Sequence, residues 1–457
     1  MVDTWVSLLV GGTLLLIGFG ASLAFHRFRI PDFIVLLFLG AGLSQIPAAP
    51  FGPGLLGALG PLLPLFTQLT IAFILFEGGL SLRLREAGRT LPAIVAHAVL
   101  AMTATAFLTY LVLTRFVGIS DPSALVVAMA FAGPSATIAL SFAPRMHLDS
   151  GAESAIVLEG VLANVIAVIG VLVILEWYGA PGNFSLLPYV AQVGEAVALG
   201  AAVGIGWGRV VGRLAQQRFI YIATLALAIT LYAAAQGFLG ENGAVTVFVL
   251  GVVLGYERSG LSPAKRESKS REAAGSAEDV LWELTRFVEA TDGARPPDSD
   301  GTLKPAQNLR NFQSEVTFAL RTFFFVYLGL LLTAEWRGVG TIFASLLVVG
   351  AFLLGRLPTS VALGWGLAWS PRDTRAVFAS VARGMTDVVL ILFAAQSGIL
   401  PASEVQFLLG IVPTVVLVAA VVSACLIFWA GRSPGKAEAK PIPDRQSAAT
   451  AANGEGR

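Results

Sequence analysis

The chain has 457 residues, of which 56% are hydrophobic and 13% charged, a usage far from that of soluble domains and typical of a polytopic membrane protein. Its net charge of +1 gives no basis for nucleic-acid binding. The single cysteine, Cys425, excludes an intrachain disulfide and any cysteine-rich metal site.

A bilayer core takes roughly 20 apolar residues per helix. Thirteen apolar runs meet or approach that length, near 4–25, 32–47, 62–82, 91–115, 122–143, 155–177, 188–212, 218–236, 240–256, 315–333, 339–366, 374–396 and 404–430. The first is preceded by Asp3 rather than a basic segment and is too long for a signal-peptide core, so it reads as a retained span. With the N-terminus outside, one set of loops carries Arg27, Arg29, Arg83, Arg85, Arg89, Arg145, Arg209, Arg213, Arg218, Arg372 and Arg375. The opposite set carries little more than Arg115 and Arg337. Basic loops stay on the cytoplasmic side, so the pattern predicts an outside N-terminus and a cytoplasmic C-terminus.

Four regions follow: residues 1–256 as the first membrane part with spans one to nine, 257–313 as a polar cytoplasmic insert, 314–431 as the second membrane part with spans ten to thirteen, and 432–457 as a polar tail. Within the insert, Val280, Leu281, Leu284, Phe287 and Val288 recur at helical spacing, which predicts a short amphipathic helix over 277–290. A flexible linker is the alternative. The tail, rich in Pro and Ala, reads as disordered.

Ionisable groups inside spans are costly and mark function or pairing. Glu176 and Glu241 fall at span ends, and Glu195 lies close enough to one to snorkel. Glu77, Glu159 and Asp387 remain. Arg356 lies deep in the eleventh span, and an acid and a base at such depth are tolerable together, so Glu159 and Arg356 are expected to form a structural ion pair. Asp387 stands four residues beyond Arg383; it can pair with that arginine locally or serve a binding site. Glu77, followed by two glycines, is a further candidate acid or a helix terminus close to water.

Two spans are interrupted at mid-depth. The fifth holds Gly133-Pro134-Ser135, which removes a backbone hydrogen bond and frees carbonyls. The twelfth holds Arg383-Gly384 before Asp387. Both are next to last in blocks of six separated by the seventh span, and interrupted segments at matching positions of two halves point to the ion site of a secondary transporter.

Four stretches then carry a specific likeness. Phe76-Glu77-Gly78-Gly79-Leu80, the run Leu158 to Asn164, the run Arg321 to Leu330, and Arg383-Gly384 resemble helix signatures of the monovalent cation:proton antiporters, the bacterial and archaeal sodium/proton exchangers. The resemblance implies an all-α fold of about 13 transmembrane helices, with two inverted six-helix repeats and broken helices 5 and 12 crossing. It also implies a homodimer, elevator-type alternating access and exchange of Na⁺ or K⁺ for H⁺, with no enzymatic activity, cofactor or resident metal. The site residues it implies are Gly133, Pro134, Ser135 and Asn164 for the ion, Glu159 with Arg356 for structure, and Arg383-Gly384 at the crossover; Asp387, close to that crossing, joins them as a candidate ion-binding acid on its own position in the sequence.

The chain departs from the family pattern twice. Ala132-Gly133 precedes the fifth-span proline where many members have Thr-Asp, and Asn164 stands where they have aspartate. A buried aspartate can be raised from about 3.9 toward neutrality and so trade a proton for a cation. An asparagine offers a carbonyl oxygen but no proton. Four readings follow: an antiporter whose acid is elsewhere, Asp387 first; a charge-neutralised variant trapped in one state; a transporter without proton exchange; or a transport-incompetent sensor or interaction platform.

Overall fold

The computed structural model describes residues 11–20, 32–46, 60, 63–82, 90–135, 148–179, 185–214, 219–240, 242–259, 305–331 and 339–431. Every regular element among them is helical: α1 Gly11–Gly20, α2 Asp32–Ser44, α3 Leu63–Ser81, α4 Leu91–Val112, α5 Asp121–Ala130, α6 Ser150–Gly179 and α7 Leu186–Arg213. The second part comprises α8 Ile220–Phe238, α9 Gly243–Ser259, α10 Pro305–Leu331, α11 Val339–Gly366, α12 Pro371–Ala379, α13 Met385–Gln396 and α14 Ala402–Gly431. Of these, α3, α4, α6, α7, α8, α11 and α14 are long and apolar enough to cross a membrane, and α1, α2, α5, α9 and α13 are shorter apolar helices. The chain is an all-α polytopic membrane protein in which each expected span falls on a helix, the twelfth being divided into α12 and α13.

Boundaries differ where apolar length and helical length part company. The sixth span begins as a helix at Ser150, five residues before its apolar run, so Glu159 lies well inside α6 rather than one turn from its start. The helix of the tenth span starts at Pro305, and α9 reaches Ser259, so both extend beyond their apolar cores into the polar insert. α4 ends in a π turn, Leu113–Val117, closed where Gly118 at φ 80° donates its N–H to the Leu113 carbonyl at 2.9 Å. The amphipathic stretch 277–290 and the tail beyond Arg432 lie outside the described residues.

Without a hydrophobic force between helices in lipid, close packing depends on small residues. Two glycine pairs bring backbones together: Gly40 of α2 meets Gly329 of α10, and Gly79 of α3 meets Gly251 of α9, where a Cβ on any of the four would overlap the facing backbone. Counting seven spans forward, the second span corresponds to the ninth and the third to the tenth, so the two pairs are images of one another. That is the packing signature of an internal repeat. Between them lies an apolar interior that includes the fully buried Phe76, Phe131, Phe324 and Phe352.

Gly79→Leu is expected to separate α3 from α9 and cost roughly 1–3 kcal/mol of stability, the usual price of overpacking. Thermal melting in detergent checks it against Gly42→Leu, where a side chain meets nothing within 4 Å and stability should hold within about 0.5 kcal/mol.

Candidate functional site

Pro134 ends the first half of the fifth span. It has no N–H and its ring excludes a helical partner four residues back, so α5 stops at Ala130 with Phe131 bonded to the Val127 carbonyl at 2.9 Å. Gly133 then packs directly on Ala163 of α6, with no room for a Cβ. The twelfth span has no proline, yet Ser380 to Gly384 is non-helical between α12 and α13. The two breaks touch. Ser135 donates its N–H to the Ala382 carbonyl at 2.9 Å, and the Ser135 hydroxyl closes over Gly384.

Each break exposes helix ends that water cannot reach. Arg383, fully buried, donates Nη1–H to the Gly133 carbonyl at 2.5 Å and lies over the Phe352 ring with its guanidinium carbon 3.9 Å from the ring centre. Arg356 donates Nη2–H to the Val377 carbonyl at 2.7 Å and to Ser380 Oγ at 3.1 Å, while Ser423 Oγ donates to the Ala379 carbonyl at 2.7 Å. Two cations thus stand at the carbonyl ends of α5 and α12, where a helix dipole favours positive charge. At the amide end of α13, Asp387 Oδ2 accepts the Gly384 N–H at 2.8 Å, the favourable place for an anion.

Glu159 and Arg356 meet as a bidentate pair, with Nη1 to Oε1 at 2.5 Å and Nη2 to Oε2 at 3.0 Å, both side chains about 1% exposed. His97 of α4 adds a third member, its Nε2 3.5 Å from Glu159 Oε2. A pattern of intramembrane carboxylates does not point to this histidine, although an imidazole inside a span is itself a rare ionisable group. Nor does it reveal that Arg356 serves α12 as well as Glu159.

Asp387 does not form the local ion pair with Arg383; it is 4% exposed, caps α13, and leaves Oδ1 clear of described donors. Glu77, half-buried in α3 four residues before its end at Ser81, accepts from Thr317 Oγ1 at 2.8 Å. Asn164 follows Ala163 on α6, is half-buried, and its side chain makes no hydrogen bond to a described residue. The structure therefore joins Gly133, Ser135, Arg383 and Gly384 directly, sets Asp387 one turn beyond, and carries Asn164 on the helix against which Gly133 packs.

The outer ends of these elements are fastened too. Glu404 at the start of α14 accepts from Ser120 N at 2.9 Å and Ser120 Oγ at 2.5 Å, gripping the start of α5. A cavity of about 530 Å³ opens between the ends of α6 and α13 and the starts of α3 and α7, lined by Gln68, Leu172, Glu176, Tyr189, Phe393 and Gln396. Ser135, Asn164 and Asp387 do not line it; Leu172 is eight residues beyond Asn164, roughly 12 Å along α6.

Comparisons with known proteins agree with this architecture. The family model described as the sodium/hydrogen exchanger, transmembrane, matches residues 12–283 and 295–429. The sodium proton antiporter MjNhaP1 from Methanocaldococcus jannaschii at pH 8 is similar in structure, with a TM-score of 0.68 at 15% identity over 93% of this chain and 97% of that one. An electron-microscopy structure of the same antiporter gives 0.65 at 16% identity over 94% and 97%. At these identities the likeness is one of fold. Among curated protein sequences none matches.

Glu159→Ala and Arg356→Ala are each expected to cost about 3–5 kcal/mol, because each strands a buried charge. The double variant should lose clearly less than the sum, and Arg356→Ala should be the worse single change since Val377 and Ser380 also lose a donor. Additive losses in a thermal double-mutant cycle would show that the two do not act as a pair.

Proposed function

We propose that this chain, which belongs to the sodium/hydrogen exchanger family, exchanges Na⁺ or K⁺ for H⁺ by alternating access, with Asp387 as the acid that carries the proton. The observation that carries this reading is the division of labour among the buried acids. Glu159 is held by Arg356, and Glu77 is bonded to Thr317. Asp387 alone of the three is buried at a broken helix without an arginine in contact. Asn164 supplies a neutral carbonyl oxygen and Ser135 a hydroxyl, ligands that replace part of a cation's hydration shell. The carboxylate of Asp387 supplies charge, and its protonation expels the cation.

Alternation requires that the site face each side in turn, and the cavity beside Glu176 and Gln396 supports access from that end. The inverted glycine pairs support a fixed frame against which the helices carrying the breaks move, an elevator-type displacement. A homodimer in the plasma membrane, with the insert 257–313 and the tail on the cytoplasmic side, completes the reading. The orientation rests on loop charges. Ser268→Cys in a Cys425→Ala background should therefore resist membrane-impermeant thiol reagents added to intact cells, and labelling from outside reverses the topology.

In vesicles reconstituted with purified protein, Asp387→Asn should abolish pH-driven Na⁺ or K⁺ flux. Ser135→Ala should weaken cation affinity more than it lowers the melting temperature. Exchange that survives Asp387→Asn removes Asp387 as carrier. Absence of exchange in the unaltered chain, restored by Asn164→Asp, identifies instead a member of the family that has lost its proton carrier.

A further inference from the structure

The end of α11, the start of α12 and the end of α14 meet at one corner of the molecule. Thr374 packs on Gly364, and the Arg375 guanidinium carbon lies 5.0 Å from the centre of the Trp429 ring. The turn between α11 and α12 is closed by Trp369 N–H on the Gly364 carbonyl at 2.9 Å and Ala368 N–H on the Trp365 carbonyl at 3.2 Å, with Ala368 in the left-handed region at φ 52°. From Glu404 to Trp429, α14 runs twenty-five residues, roughly 37 Å. That exceeds a hydrocarbon core of about 30 Å, so with Glu404 at one boundary Trp429 and its arginine stand in the headgroup layer at the other.

The corner carries positive charge that its own acids do not answer. Asp373, which sits between Arg372 and Arg375 in sequence, is buried, with Oδ2 taking the Ser370 hydroxyl at 2.5 Å and Oδ1 the Asp149 N–H at 3.2 Å. Asp149 in turn takes the Gly151 N–H at 3.3 Å. Arg372 Nε is shielded from water yet has no hydrogen-bond partner, and the Trp429 ring attracts Arg375 without supplying a counter-charge. The amide end of α12 is already capped, since Ser370 Oγ accepts the Asp373 N–H at 3.1 Å. Beside the arginines the surface is apolar: Trp365 is 83% exposed, and Leu354, Leu357 and Trp365 follow one exposed stripe of α11 that leads up from the membrane interior.

We propose that this corner binds an anionic phospholipid, its phosphate taken by Arg372 and Arg375 and an acyl chain laid along Trp365 and the α11 stripe. The planar fork of an arginine matches phosphate oxygens, and the tryptophans occupy the headgroup level that their amphipathic rings favour. A zwitterionic lipid offers the same phosphate but brings an ammonium that two arginines repel. A soluble phosphate lacks the chain that the stripe accommodates. The bound lipid ties the start of α12 to α11 and α14, at the opposite end of this short helix from the Val377 carbonyl held by Arg356. The inference is independent of the exchange reading, and its test measures lipid binding rather than transport.

Native mass spectrometry of the detergent-purified full chain, titrated with phosphatidylglycerol or phosphatidylcholine, should show a first phosphatidylglycerol held clearly more tightly than phosphatidylcholine. Arg372→Gln with Arg375→Gln should weaken phosphatidylglycerol about 25-fold, roughly fivefold for each arginine. Arg209→Gln with Arg213→Gln, a change of two exposed arginines at the end of α7, should leave that first lipid in place. In nanodiscs of the unaltered chain, amide hydrogen exchange over 366–376 should be slower with phosphatidylglycerol than with phosphatidylcholine, and that over 209–214 unchanged. Equal affinity for the two lipids, or full affinity in the Arg372/Arg375 variant, overturns the proposal. Displacement of the lipid by glycerol 3-phosphate overturns it in favour of a soluble anion. Should the double variant fail to fold, the nanodisc comparison decides: protection absent from 366–376, or equal at 209–214, refutes the site.

Discussion

A bilayer offers no hydrogen-bond partner to a backbone group, and that single constraint organises the interior of this molecule. Two spans are cut at mid-depth, and each cut leaves carbonyls and amides that would be several kcal/mol too costly to bury bare. The solutions are local and distinct. Arg383 reaches across from the second break to the Gly133 carbonyl of the first, Arg356 reaches from α11 to the end of α12, and Asp387 turns back on its own helix to take the Gly384 N–H. The breaks also bond one another through Ser135 and Ala382. Neither interruption is built to exist alone.

Capping with arginines imports charge, and charge at this depth demands an answer. Glu159 answers Arg356 directly. Arg383 is answered by a carbonyl and by the face of Phe352, an aromatic surface that attracts a cation without supplying a counter-charge. The consequence is that Asp387 is left uncommitted to any arginine, although it lies four residues away from one. Its chemistry is preserved by what Phe352 and Gly133 do for its neighbour.

Much of this was legible in the sequence because membranes make charges and helix breakers scarce. A proline after glycine in an apolar run announces a break, and an acid and a base 197 residues apart can be matched when few other charges share their depth. What could not be read depends on distances between helices. The twelfth span breaks without a proline, held open by contacts to the fifth. Gly40, Gly79, Gly251 and Gly329 look like any of the chain's many glycines until their backbones are seen to touch. His97 carries no formal charge in a sequence read at neutral pH, and the second duty of Arg356 is silent because carbonyl acceptors leave no trace in a sequence. Helix ends outside the membrane, such as Pro305, were missed because hydropathy measures immersion rather than helicity.

α14 holds both broken spans at once, though it is itself unbroken. Glu404 near its start grips Ser120 at the head of α5, and Ser423 further along donates to Ala379 at the foot of α12. Nineteen residues separate the two grips, roughly 28 Å along a helix axis, close to the thickness of the hydrocarbon core. The last span therefore serves as a ruler laid across the membrane, with a fixed mark for each interrupted helix. A single residue added between the marks turns one grip by about 100° relative to the other, so the length of α14 is under a stricter rule than its composition, which any apolar side chain of suitable size satisfies.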